Sequence, residues 1–352
     1  MKSNFKDVTI LITGCSKLSK EIVDCLKNNR DRRKVRVISV DCNSNNVLRE
    51  NVDRYYIAPL IKDPHYLDWL VDICNKEDVD VVLPYITAEL PIIAGAKQEL
   101  ESRTKAKFSV ASVECLSIVN NKEILGSYFG KYMPMQYVVR NGKDLYFKAC
   151  ELGYKNGTKI CIKLTNKCGG AGFAIIDDDK AIDIELFNRQ GCNRYISMND
   201  AMEIADKNDI TIILQEYIEG VDYSVCILAD KGETVYECGF DGYSMNYGAV
   251  MSGMIKKNDE AYRIASEIVK KTNLDGNACF DFIIKNDGTP ILLECNPRLS
   301  ASLPFIAKAG IDLVYERCKF LLGEECGKQK DVKIRYGLKM GKYYVANYYI
   351  DK

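Results

Sequence analysis

The sequence predicts an α/β chain: a doubly wound, Rossmann-like domain over roughly residues 1–115, then an α+β region built on hairpins. Two observations predict it. Short continuous apolar runs, VTILIT (8–13), VRVISV (35–40) and VDVVLPY (79–85), alternate with helical stretches such as Ser19–Asn28, the rhythm of buried parallel strands joined by crossover helices. Farther on, Asn277–Arg298 sets two runs of period-two alternation around Asn286-Asp287-Gly288, a strong hairpin signal.

The 352 residues suffice for two or three domains with cores of their own. Basic and acidic residues balance at 49 each, leaving no electrostatic footprint for nucleic acid or an anionic membrane. No run of about 18 apolar residues exists, and the N-terminal apolar segment is too short for a signal peptide, so a cytoplasmic protein is expected. Fifteen cysteines without a CxxC pair are expected as free thiols in a reducing compartment. The single histidine, His65, nearly excludes triad or His-ligand metal chemistry.

In the first domain, strand 8–13 ends at Gly14 and the second strand at Asp41. An acid in that place suits a dinucleotide site, but the first turn, GCSKLSK, has one glycine where the fingerprint needs three, so NAD is disfavoured. Thr87-Ala88-Glu89 follow strand 79–85, at the edge where open parallel sheets meet ligands. Glu89 there either touches substrate or the next domain, or serves as an acid at a helix N-terminus.

Helices are expected over 113–119 and from Lys122 to about Lys131, with a domain boundary near 115. In KICIKLTNKCGGAGFAIIDDD (159–179), Lys159, Cys161 and Lys163 share one strand face. A lysine there suits a cleft better than a core, so Lys163 is expected to point into one. The loop 165–172 holds Lys167, Gly169, Gly170 and Gly172. Such backbone can offer amide groups to phosphate oxygens, and a flexible surface turn is an equal reading. No GxxxxGK[ST] is present, so it is not a P-loop. Next, TIILQEYIEGVDYSVCIL (211–228) runs from a strand through Gln215, Glu216 and Ile218 into a second strand carrying Asp222. An apolar connector with free backbone groups suits adenine, and the acid suits a ribose; taken alone it is also an ordinary strand–turn–strand.

In the hairpin, the register expected from the turn sets Lys285 opposite Pro290 and Asp281 opposite Glu294. Two acids directly opposite on one face repel. Their neighbours are Cys, Phe, Ile and Leu, so a solvated acidic face fits poorly and a hard divalent cation between them fits well. Asn296 adds a neutral oxygen on the same face, and Arg298 stands just past the strand end. Helices over 300–308 and 311–322 and two strands within 332–350 complete the expected elements.

In order, the lysine of NNKE, the lysine strand with KCGGAGF, LQEYIEG-VDYSV, and FDFIIKNDG-PILLECNPR resemble the ATP-grasp superfamily. Within it they are similar to the branch of the carbamoyl-phosphate synthetase large subunit, most of all in NPRLSASLPFIAKAGID, and the match runs from about residue 8 to 325. The resemblance implies a Rossmann-like pre-ATP-grasp domain (1–115) followed by a two-lobed ATP-grasp domain. Its linker and small lobe with the glycine-rich lid would span 116–212, and its large lobe with the metal site and C-terminal strands 213–352.

The resemblance further implies that Lys122 and Lys163 contact ATP phosphates beneath a lid of Lys167, Gly169, Gly170 and Gly172. Gln215, Glu216 and Ile218 would hold adenine and Asp222 the ribose. Asp281, Glu294 and Asn296 would bind Mg²⁺, or Mn²⁺, and Arg298, with Lys163, would be catalytic, stabilising the phosphorylated intermediate. The implied reaction joins a small-molecule carboxylate to an amine, or to a thiol, through an acyl phosphate, and releases ADP and phosphate; a homodimer is implied as well. Alternatives are a bicarbonate-phosphorylating enzyme and a nucleotide-binding module without turnover. Many relatives carry an arginine after the connector, but CGFDGYSMNYGAVMSG (238–253) has none; its Asp241, Tyr243 and Asn246 would instead favour an amino- or hydroxyl-bearing acceptor. With no biotin-carrier segment or second synthetase half, full carbamoyl phosphate synthesis is not expected.

Overall fold

A computed structural model describes residues 5–15, 19–165, 172–183, 195–246, 249–327, 329–343, 345, 346 and 348. Three sheets organise them. The first contains β1 (Val8–Thr13), β2 (Val35–Asp41), β3 (Arg54–Ile57), β4 (Val81–Pro84) and β5 (Lys107–Phe108), in the order β3-β2-β1-β4-β5. Every pairing is parallel, with helices such as Lys20–Lys27, Tyr66–Lys76 and Leu90–Arg103 as crossovers. β1 carries no charged residue and is mostly buried because both faces are covered: Leu11 enters one core while Ile10 and Ile12 enter another.

The second sheet contains β6 (Gln136–Val139), β7 (Ile160–Leu164), β8 (Phe173–Ile176), β9 (Tyr195–Ile196) and β10 (Ile212–Glu216), ordered β6-β10-β7-β8-β9. It has its own core, where Val139, Ile160, Ile162 and Leu214 meet Leu145 and Ala149 of helix Gly142–Glu151 and Ala201 of helix Met198–Lys207. β10 lies between β6 and β7, so the lobe division expected at residue 212 falls at the start of a small-sheet strand.

The third sheet is antiparallel: β11 (Val221–Asp230), β12 (Glu233–Asn246), β13 (Ala249–Ile255), β14 (Gly276–Ile284), β15 (Pro290–Asn296) and β16 (Lys339–Gly341), ordered β15-β14-β11-β12-β13-β16. Of the two terminal strands expected, one forms among the described residues, and it is short. This sheet shares both of its cores with the first. Tyr223, Val225 and Ile227 pack with Leu11 and Val40 through helices Val113–Val119 and Asp259–Thr272. Cys226, Leu228 and Phe240 pack with Ile10 and Ile12 through helices Lys20–Lys27, Leu303–Ala309 and Leu313–Leu321. Buried Arg317 fastens the seam, with Nη1 2.8 Å from Asp275 Oδ1 and Nε donating to Ser109 Oγ at 3.0 Å. Among the described residues no helix is long and apolar enough to cross a membrane.

Candidate active site

Asp281 on β14 faces Glu294 on β15. The turn alone does not set this register. Ile284, not Lys285, pairs with Pro290, and Lys285 N donates to Thr289 O around a three-residue loop closed by Gly288 at φ +87°. An irregularity between Asp281 and Phe282 then gives β15 one extra residue, which restores the opposition of the two acids.

Each carboxylate oxygen of the pair has a donor. Ser224 Oγ donates to Asp281 Oδ1 at 2.7 Å, and Cys279 Sγ lies 3.5 Å from the same atom. Asn296 Nδ2 bridges Asp281 Oδ2 at 3.0 Å and Glu294 Oε1 at 3.1 Å. Lys122 Nζ sits 2.9 Å from Glu294 Oε2. Burial and the adjacent Glu294 push the Asp281 carboxyl up to about 7. Burial acts on Glu294 in the same sense, but the Lys122 ammonium outweighs it and holds that carboxyl below its ordinary value.

Lys163 on β7, expected to point into a cleft, lies close enough to Glu294 for the two charges to interact. Its ammonium has no hydrogen bond or ion pair among the described residues, and burial pushes it below the ordinary lysine value despite the pull of Cys161 and Glu294. Arg298 is held at three points: Nε donates to Thr87 Oγ1 at 2.9 Å, Nη1 to Leu299 O at 2.9 Å and Nη2 to Asn296 Oδ1 at 3.4 Å. Thr87 lies in the short turn after β4, so the carboxyl edge of the first sheet reaches the site.

The connector leaves β10 at Glu216 and enters β11 at Val221. Tyr217 N donates to Lys159 O at 2.8 Å, whereas the backbone N–H of Ile218 has no acceptor among the described residues. Gln215 is buried, its Nε2 3.5 Å from Glu216 O. A cleft of 380 Å³ opens between Glu216–Glu219 and the hairpin tip at Lys285, Asn286 and Asp287. A Cβ on Gly220 would stand 2.2 Å from Ile284 O, so only glycine lets the connector lie so close to the hairpin. Asp222, exposed, precedes Ser224 by two positions on the same sheet face, which puts connector, Asp222, Ser224 and Asp281 along one line.

Residues 10–105 match the family model of the PylC-like N-terminal domain, and residues 208–344 match the one described as ATP-grasp in the biosynthetic pathway with Ter operon. The chain carries an ATP-grasp domain. It is 26% identical over 212 residues, 60% of its length, to the arginine-specific carbamoyl phosphate synthase large chain of Geobacillus stearothermophilus. The chain spans between 19% and 27% of the length of such curated relatives. Among solved structures, an ADP complex of N5-carboxyaminoimidazole ribonucleotide synthetase superposes with TM-score 0.68 at 16% identity, over 94% of this chain and 80% of that one. The biotin carboxylase domain dimer of the Hydrogenobacter thermophilus 2-oxoglutarate carboxylase, solved with MgADP, ADP and bicarbonate, gives TM-score 0.66 at 15% identity, over 92% and 72%. These likenesses show the fold: a PylC-like domain followed by an ATP-grasp domain, as expected.

Within the ATP-grasp domain, Lys167, Gly169 and Gly170 lie outside the described residues. Gly172 turns the chain into β8: it has φ +72°, its carbonyl accepts from Leu164 N, and a Cβ would press on the Leu164 side chain at 2.7 Å. Asp241 departs from expectation. It is buried opposite Tyr223, on the sheet face away from Ser224 and Asp281, with Lys256 Nζ 3.2 Å from Oδ2. It therefore meets no ligand lying over the acid pair.

In the first domain, Glu89 proves internal. It is buried and accepts from the hydroxyls of Thr13 and Tyr66 and from the backbone N–H groups of Tyr85 and Ile86. Ile86 also fills the space above Gly14, at 2.0 Å from where a Cβ would stand, where a dinucleotide's phosphates would need room. Two site residues escape a reading of motifs. Ser224 had one signal, its alternation with Asp222; Thr87 had only its place beside Glu89.

Proposed function

We propose that the protein is an ATP-dependent carboxylate–amine ligase. One observation carries the reading: Asp281 and Glu294 face each other with the Asn296 amide across both, Lys122 paired to Glu294, Lys163 near enough to feel that charge and an anchored arginine beside them. Among the described residues no three His, Cys, Asp or Glu side chains cluster as a metal site. Two carboxylates and one amide suit Mg²⁺, or Mn²⁺, which takes few protein ligands and completes its shell with phosphate oxygens and water. Asp281, Glu294 and Asn296 would hold that ion, and it would neutralise charge on the terminal phosphates.

The chain's own groups have separable tasks. Lys163 and Lys122 bind phosphate oxygens, with Lys167, Gly169, Gly170 and Gly172 closing over them. Gln215, Glu216 and Ile218 receive adenine at the connector, and Asp222 the ribose. A substrate carboxylate oxygen attacks the γ-phosphorus, the bond from that phosphorus to the ADP oxygen breaks, and Arg298 stabilises the acyl phosphate. An amine then attacks the acyl carbon, phosphate departs with the C–O electron pair, and the amine's proton passes to solvent. No histidine is needed. Support comes from the carbamoyl phosphate synthase relatives and from neighbours solved with ADP and MgADP. Bicarbonate as the acid is the second reading, favoured by the neighbour solved with that anion. A homodimer, as in that neighbour, and a cytoplasmic setting belong to the same proposal.

The test is ADP release from ATP and Mg²⁺ with pooled carboxylates and amines. Release that needs both an acid and an amine supports ligation, and release with bicarbonate in place of the acid supports the second reading. Nucleotide binding without turnover in any pool contradicts both.

A further inference from the structure

We infer that Lys122 stands in for the metal ion in the nucleotide-free protein, and that metal and nucleotide therefore bind together rather than separately. The inference rests on the ATP-binding reading above. All four oxygens of the acid pair already face protein donors: Ser224 and Cys279 on Asp281 Oδ1, Asn296 on Asp281 Oδ2 and Glu294 Oε1, Lys122 on Glu294 Oε2. Lys122 is the one full positive charge within ion-pair distance of either acid among the described residues.

A divalent ion entering alone meets a closed set. It must displace Lys122 from Glu294 and turn the Asn296 amide so that oxygen replaces Nδ2. It also adds positive charge beside Lys163, which has no ion-pair partner there, and the displaced Lys122. A nucleotide reverses the balance, because its phosphates receive both ammonium groups as the ion takes the carboxylates.

Lys122 is placed to let go. It is the first residue of helix Lys122–Phe129, behind Asn121, whose side chain accepts from Glu123 N and Ile124 N. Positive charge at a helix N-terminus opposes the helix dipole, so the helix itself gives the ammonium no support and Glu294 supplies it. Coupling of this kind is reciprocal: nucleotide tightens metal binding by the factor by which metal tightens nucleotide binding.

The experiment titrates Mn²⁺, read by electron paramagnetic resonance, into the full chain with and without ADP. Wild type and Lys122→Arg are expected to bind Mn²⁺ weakly alone and tightly with ADP. Lys122→Met is expected to bind Mn²⁺ without nucleotide about tenfold more tightly than wild type, the fold-change of one charged hydrogen bond. Adding Glu294→Gln to Lys122→Met is expected to remove that gain. Equal nucleotide-free affinity in wild type and Lys122→Met, with ADP-dependent Mn²⁺ binding retained, overturns the exchange and leaves the ATP reading standing. Absence of ADP-dependent Mn²⁺ binding in wild type overturns both. A thermal melt of each variant checks folding, and Lys122→Arg controls for loss of the side chain.

Discussion

Arg298 of the ATP-grasp domain is tied to Thr87 of the first sheet, its Nε donating to the threonine hydroxyl at 2.9 Å across 211 residues of sequence. The guanidinium is thereby aimed by a domain that makes no described bond to the acid pair itself. Thr87→Val removes the acceptor and keeps the shape. It is expected to lower kcat by about tenfold with little change in the KM for ATP, while Thr87→Ser keeps near-normal rates. Steady-state ADP release with whichever acid and amine support turnover in the pooled assay checks this, and equal rates for Val and Ser would rule out the anchoring role.

Lys163 is half-buried near the acids without an ion-pair partner among the described residues, an arrangement that wastes a charge unless an anion arrives. Lys163→Met is expected to weaken ADP binding by roughly ten- to a hundredfold, the range of one or two charged hydrogen bonds, as read by calorimetric titration. Unchanged affinity would place the phosphates elsewhere.

The seam between first and third sheets depends on Arg317, 2% exposed at its side chain and paired with Asp275. Arg317→Met leaves Asp275 without its cation and Ser109 without its donor. A loss of about 3 kcal/mol in denaturant unfolding is expected, against well under 1 kcal/mol for an exposed pair such as Lys20–Asp24.

Asp312 caps helix Leu313–Leu321, with Oδ1 accepting from Val314 N and Tyr315 N. Burial pushes its carboxyl from the ordinary 3.8 up to about 6, against the pull of those backbone donors. The native state therefore keeps a proton that the unfolded chain releases first. This group's contribution falls as pH rises from 3.8 to about 6 and is level above that. Asp312→Asn keeps a capping oxygen without the charge. Relative to wild type it is expected to gain about 1–2 kcal/mol between pH 4 and pH 7, measured by urea unfolding at each pH. A difference that does not change with pH would contradict the assignment.

Continuous apolar runs made β1, β2 and β4 legible, because parallel strands covered on both faces carry no polar alternation to confuse them. β3 was not: RYYI lies at the sheet edge with its ends exposed, and four residues with no continuous apolar run carry too little pattern to mark a strand. The opposition of Asp281 and Glu294 was legible, but its mechanism was not, since a three-residue loop and a bulge offset one another. Alternation gave no warning that Asp241 turns from the site, because that depends on its register with Tyr223. Lys122 was marked for phosphate, and its ion pair with Glu294 joins residues far apart in sequence that no local pattern connects.

Calorimetric titration of ADP into wild type and Glu294→Gln, each with and without Mg²⁺, tests the central claim most directly. Wild type is expected to bind ADP about tenfold or more tightly when Mg²⁺ is present, and Glu294→Gln to lose that dependence while its thermal melt stays near wild type. Equal enhancement by Mg²⁺ in both proteins would contradict the account, because the ion would then be held without Glu294.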